Sequence, residues 1–245
     1  MLACSGTGPQ AYVVLRTLPH DTSAYTQGLL YFGGALYEST GEYGRSQVRR
    51  VDPTTGHVLA SVPLAPQRFG EGLALLHGHL YQLTWQSGVG YVYDASTLTR
   101  TDSFTYHGEG WGLTTDGTSL IMSDGTATLR FLNPRTFQVI RQVTVNDHGS
   151  PLSAVNALEY ARGELFANIY QSDWIVRIDP TNGHVRQWLN LDGLLPEDRR
   201  TPRTDVLNGI AYERDTGLLL VTGKRWPLLF ELRLKTPPGD TVSAP

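Results

Sequence analysis

One carboxyl, one ammonium, three side-chain amides and three indoles stand at matched places along this 245-residue chain. The matching comes from a recurring phrase: TQGL at 26–29, GEGL at 70–73, GWGL at 110–113, VNAL at 155–158 and LNGI at 207–210. Its second position holds Gln27, Glu71, Trp111, Asn156 and Asn208. Counted from the leucine that opens the next strand, the far end of that strand holds Gly41, Trp85, Gly125, Tyr170 and Lys224. The loop beyond adds Asp173 and Trp174. A lone Glu among indoles is costly to ionise, so desolvation raises its pKa toward the range that suits proton transfer near neutral pH. Indoles around a few convergent polar groups are the usual lining of a small-ligand pocket. Any one of these residues is explained as well by plugging a channel; the set together points to a site.

The elements that position these groups follow from the same phrase. Its third positions (28, 72, 112, 157 and 209) lie 44, 40, 45 and 52 residues apart. Periods of this length built from short strands mark a β-propeller. Each repeat carries runs rich in Val, Ile, Leu, Tyr and Thr, as strands prefer. The third-to-fourth connection recurs as VDPTTGHV, YDASTLTR, LNPRTFQV and IDPTNGHV, which is hairpin-turn chemistry. The fifth repeat lacks a fourth strand, while AYVVLRTL at 11–18 precedes the first phrase where a fourth strand would sit. The expectation is an all-β, five-bladed propeller over 11–235, its last blade closed by the N-terminal strand, with a flexible segment 1–10 and a polar tail 236–245. An open β-sandwich does not explain the fivefold register. Because the first two strands of a blade form an antiparallel hairpin, the phrase and the far end of the second strand share one face of the ring.

Composition bounds the rest. Net charge is −3 with a pI near 6.1 and no basic stripe, which argues against nucleic acid. Cys4 is the single cysteine, so neither a disulfide framework nor a cysteine-based zinc site is expected. No apolar run approaches the ~20 residues that span a bilayer. Residues 1–6, MLACSG, read either as the remnant of a lipoprotein leader or as a plain start. Export, with lipid anchoring through Cys4, is the expectation under the first reading. His77 and His79 fall in a tight turn, and Asp52, Asp94 and Asp179 read as turn formers. Arg49, Arg50, Arg199, Arg200 and Arg203 read as solvated surface. The insertion 192–203 reads as a lid over the channel or as plain loop.

The motifs TQGL, FGEGL, LTW, GEGWGL, VNALE, the 169–178 segment, LNGIA and TGKRWP, in this order, resemble the plant and bacterial type of glutaminyl-peptide cyclotransferase. The resemblance runs over nearly the whole chain and implies a five-bladed propeller, distinct from the animal-type zinc enzyme of α/β fold. It also implies conversion of an N-terminal glutamine of peptides or proteins to pyroglutamate with release of ammonia, with no cofactor and no metal. Matched motif by motif, it implies Glu71, Gln27, Asn156 and Lys224 as catalytic residues and Tyr25, Phe69, Trp85, Trp111 and Trp174 as substrate-binding ones. Some relatives carry Phe at the Tyr25 position, and Asn208 has no motif role. A monomer is expected. Two other readings stand beside it: a metal-dependent propeller lactonase, which would want several carboxylates where spacing supplies Glu71, and a non-catalytic propeller that binds peptides or sugars.

Overall fold

The computed structural model describes residues 8–235, so Cys4 and the tail from 236 lie outside the described residues. The chain opens with β1 (Tyr12–Pro19). The first blade is β2 (Thr26–Phe32), β3 (Ala35–Thr40), β4 (Gln47–Val51) and β5 (Val58–Pro63). The second is β6 (Gly70–Leu76), β7 (His79–Thr84), β8 (Val89–Asp94) and β9 (Arg100–Thr105). The third is β10 (Leu113–Thr115), β11 (Leu120–Met122), β12 (Thr128–Leu132) and β13 (Val139–Thr144). A small hairpin, β14 (Asn146–Asp147) and β15 (Ser150–Pro151), leads into the fourth blade. That blade is β16 (Val155–Ala161), β17 (Glu164–Ile169), β18 (Trp174–Ile178) and β19 (Val185–Asn190). The fifth is β20 (Leu207–Glu213), β21 (Leu218–Gly223) and β22 (Leu228–Leu234), with β1 hydrogen-bonded outside β22. The fivefold propeller closed by the N-terminal strand is thus present, and pairing β1 with β22 gives the last blade its fourth strand.

Turn chemistry sets the hairpins. Asp52, Asp94, Asn133 and Asp179 each accept backbone N–H groups two residues on, at 2.8–3.0 Å, through a side-chain oxygen. The hairpin β14–β15, which periodicity did not anticipate, turns through His148 and Gly149, both at positive φ.

The recurring phrase has a structural meaning beyond its period. In four blades the pairing of the first two strands shifts register within it: between Thr26 and Gly28, Gly70 and Leu73, Val155 and Leu158, and Leu207 and Ile210. In the third blade Trp111 N–H donates to the Ser123 carbonyl and Ser123 N–H to the Gly112 carbonyl, two residues again facing one. Each phrase is a β-bulge, a device that re-aims a side chain. The bulged second residue is the one carrying the variable chemistry.

The glycine after it permits contact between neighbouring blades. A Cβ on Gly72 would lie 2.3 Å from the Leu113 nitrogen and 2.6 Å from the Gly112 carbonyl carbon, and Gly28 and Gly112 face the next blade's backbone as closely. Backbone cannot retreat as a flexible side chain can. Gly72→Ala is therefore expected to cost about 1–3 kcal/mol. That lowers the thermal midpoint by several degrees, and an unchanged midpoint in a calorimetric scan would contradict the close-approach account.

Between blades the core is apolar: Phe166, Ile175 and Leu189 of the fourth blade meet Ile210, Leu219 and Phe230 of the fifth. One seam is polar, and it corrects the expectation for Arg49. Rather than lying at the surface, Arg49 is 1% exposed. Its Nε donates to Glu38 Oε2 at 2.8 Å and its Nη1 to Asp21 Oδ2 at 2.7 Å. Thr26 Oγ1 donates to Glu38 Oε1 at 2.6 Å, and the His20 ring lies between Glu38 and the Trp226 carbonyl. This cluster joins the first blade to the segment that leaves β1. Arg50 is half-buried, and Arg199, Arg200 and Arg203 are exposed as expected.

Candidate active site

Four of the five bulges, those of Gln27, Glu71, Trp111 and Asn156, turn their side chains toward a single cavity of about 260 Å³. It is lined by Tyr25, Gln27, Phe69, Glu71, Trp85, Trp111, Asn156, Tyr170 and Lys224. Eight of the nine residues singled out from the sequence meet here; Trp174 does not. The chain turns at Gln171, where φ is positive, and Trp174 then enters β18 and packs edge-on against Trp188 with ring centroids 5.7 Å apart. Tyr170 lines the cavity in the fourth blade instead, edge-on to Trp111 at 5.3 Å.

Glu71 stands in the second blade's bulge and is 5% exposed. Burial raises its pKa well above the ordinary carboxylate range; nearby Lys224 opposes the rise and Glu109 adds to it. Gln27 Nε2 donates to Glu71 Oε1 at 2.9 Å. The direction of the Gln27 amide is set from behind. Asn208 Nδ2 donates to the Thr26 carbonyl at 2.9 Å and to Gln27 Oε1 at 3.2 Å, which leaves the Gln27 amide nitrogen facing Glu71. Asn208, which had no role from motifs, is thus a positioning residue.

Asn156 and Lys224 complete the polar lining of the cavity. Asn156 Oδ1 is buried and has no hydrogen bond within the protein. A buried unpaired acceptor is costly and suits a donor brought by a ligand. Lys224 Nζ lies 4.8 Å from the Tyr25 ring centre and 5.2 Å from that of Tyr170. Burial lowers its pKa, while Glu71 and Asp205 oppose the fall. Tyr25 is held by its hydroxyl, which donates to Asp205 Oδ2 at 2.9 Å, and burial with this bond pushes the phenol up. Phe69 meets Tyr25, Tyr43 and Trp85 edge-on at 5.4–6.1 Å; its ring lies over Gly41, where a Cβ would strike it at 2.3 Å.

Glu109 and Asp205 were missed. Glu109 sits two residues before Trp111 and Asp205 three before Asn208, both outside the repeating phrase, where no period points to them. The insertion 192–203 is neither free loop nor closed lid: Leu194 and Leu195 pack in the core with Trp226, and Arg200 lies over the Trp226 ring beside a second cavity at Asp173 and Asp205. Among the described residues, no group of three or more His, Cys, Asp and Glu side chains is placed to hold a metal ion. No helix among them is long and apolar enough to cross a membrane.

A five-bladed propeller whose blade ends converge on one aromatic cavity holding a buried acid is a fold and site for a small ligand. The sequence profile of one family, described as Glutamine cyclotransferase, matches residues 4–234. The chain is 44% identical to the glutaminyl-peptide cyclotransferase of Arabidopsis thaliana over 228 residues, which is 91% of this chain and 71% of that protein. A crystal structure of Myxococcus xanthus glutaminyl cyclase superposes with a TM-score of 0.86 at 35% identity, covering 92% of this chain and 97% of that one. The chain belongs to the glutamine cyclotransferase family and is, with it, an acyltransferase.

Proposed function

We propose that this protein converts the N-terminal glutamine of peptides or proteins to pyroglutamate, releasing ammonia, and that Glu71 carries the proton between the two nitrogens. The observation that supports the reading most is a buried Glu71, its pKa raised by desolvation, sharing an aromatic cavity with an unpartnered Asn156 Oδ1.

In this reading the glutamine stem packs among Phe69, Trp85 and Trp111, which holds it folded and pre-pays the orientation entropy of ring closure. The α-amine, with a reference pKa of about 7.7–8.0, enters with one proton shared between it and Glu71. Its nitrogen attacks the side-chain amide carbon, and the new C–N bond closes a five-membered ring. Glu71 gives its proton to the departing amide nitrogen and takes one from the attacking nitrogen in its place. The old C–N bond then breaks, ammonia leaves, and the proton count on Glu71 is unchanged. Asn156 Oδ1 accepts a hydrogen bond from a substrate N–H. Lys224 stabilises the negative charge that develops on the amide oxygen. Gln27, oriented by Asn208, keeps the Glu71 carboxyl aimed into the cavity. No step in this route calls on a metal.

The test is incubation with a glutamine-initiated peptide while ammonia release and the loss of one ammonia from the peptide mass are followed, with and without a chelator. Equal turnover in both is expected. Binding without turnover would sink the enzymatic reading and favour a peptide-binding propeller, and turnover abolished by the chelator would sink the metal-free route.

A further inference from the structure

Glu109 takes no part in the proton transfer above, yet it is tied to two walls of the cavity at once. Its Oε2 accepts the indole N–H of Trp85 at 2.7 Å and that of Trp111 at 2.9 Å, and its Oε1 accepts the Gln86 amide at 2.9 Å. The two indoles come from different blades: Trp85 follows β7 of the second, and Trp111 is the bulged residue of the third. The loop is shaped for this contact. Gly108 takes a positive φ, and a Cβ on Gly110 would strike the Tyr106 hydroxyl at 2.6 Å and the Leu83 side chain at 3.0 Å. Gly110 N–H also donates to the Trp85 carbonyl at 2.9 Å, so the backbone on the carboxylate's own loop is fastened to the same blade end.

From this geometry we infer that Glu109 is a positioning residue, a carboxylate clasp that sets both indoles and so fixes the width of the slot that receives the glutamine stem. The inference rests on the function proposed above. With both N–H groups engaged by Glu109, Trp85 and Trp111 offer the cavity hydrocarbon surface only, which matches methylene groups and leaves the substrate amide to Asn156 and Lys224. The three donors offset burial and keep Glu109 ionised. Its charge in turn disfavours ionisation of Glu71, so the clasp links wall geometry to the proton carrier.

The test compares Glu109→Ala and Glu109→Gln with wild type. In the free protein, the indole N–H resonances of Trp85 and Trp111, assigned with Trp85→Phe and Trp111→Phe, are expected to shift in Glu109→Ala while the other three indole signals stay. On a glutamine-initiated peptide, Glu109→Ala is expected to lose about 10- to 100-fold in kcat/KM, since misplacement by about 1 Å can cost that much. Glu109→Gln keeps a carbonyl acceptor without the charge. Its loss is expected to be smaller, and its pH profile of kcat/KM is expected to move to lower pH as Glu71 ionises more readily. A purely structural Glu109 would leave that profile in place. Unmoved indole resonances in a folded Glu109→Ala protein, or kcat/KM within about twofold of wild type, would overturn the clasp. Absence of turnover in the wild type would overturn the proposed function instead, and the indole resonances would still decide the clasp.

Discussion

A Glu71→Gln variant is expected to bind a glutamine-initiated peptide about as tightly as wild type and to turn it over about a hundred- to ten-thousand-fold more slowly, the range general acid–base catalysis supplies. The substitution keeps the volume of the side chain and an oxygen that accepts from Gln27 Nε2, now at 2.9 Å from Oε1. It removes only the proton that moves. Burial already disfavours the charged form of Glu71, and an amide in its place brings no charge into the cavity, so the fold and the cavity are expected to persist. Calorimetric titration with the peptide separates affinity from turnover. A variant that binds and still turns over within tenfold of wild type would remove Glu71 from the proton path while leaving the activity itself intact.

The second large effect is on stability. Replacing Glu38 by glutamine leaves the buried Arg49 guanidinium with half of its neutralising charge, Asp21 alone. Breaking a buried pair costs about 3–5 kcal/mol. For a protein of this size that is roughly 10 °C in thermal midpoint. The pH dependence has a definite sign. Arg49 and His20 beside it hold the Glu38 carboxyl down at about 2 from an ordinary 4.5, against a large burial cost. Its contribution is fully present above about 4.5 and is lost as pH falls through about 2. Urea midpoints of wild type should therefore converge on those of Glu38→Gln as pH falls across that window. Equal midpoints at neutral pH would contradict the account.

Much of this was legible in the chain. The propeller count, the closing strand and the face that bears the site follow from a phrase whose repetition reflects one backbone event, the bulge, made five times. It leaves a sequence signature because the residue after the re-aimed one lies against the next blade's backbone, where there is room for a small residue. What periodicity could not reach are groups lying between repeats. Glu109 and Asp205 sit on connections, where only three-dimensional closure shows which side chain they meet. Arg49 was misplaced because adjacent arginines look alike in sequence, whereas on β4 they face opposite ways and only one meets Glu38. Trp174, four residues after Tyr170 and past the turn at Gln171, packs on Trp188, and Tyr170 lines the cavity in its place. Asn208 matched no motif because it acts through Gln27 and not on the ligand.

The proposed proton transfer depends on a single carboxyl, and its titration can be measured. Glutamate labelled with ¹³C at the carboxyl, titrated in wild type and in Glu71→Gln, isolates the Glu71 resonance by difference. The expected result is a side chain that titrates well above the ordinary glutamate value of about 4.3. A Glu71 signal that titrates near that ordinary value in an enzyme fully active on glutamine-initiated peptides would contradict it.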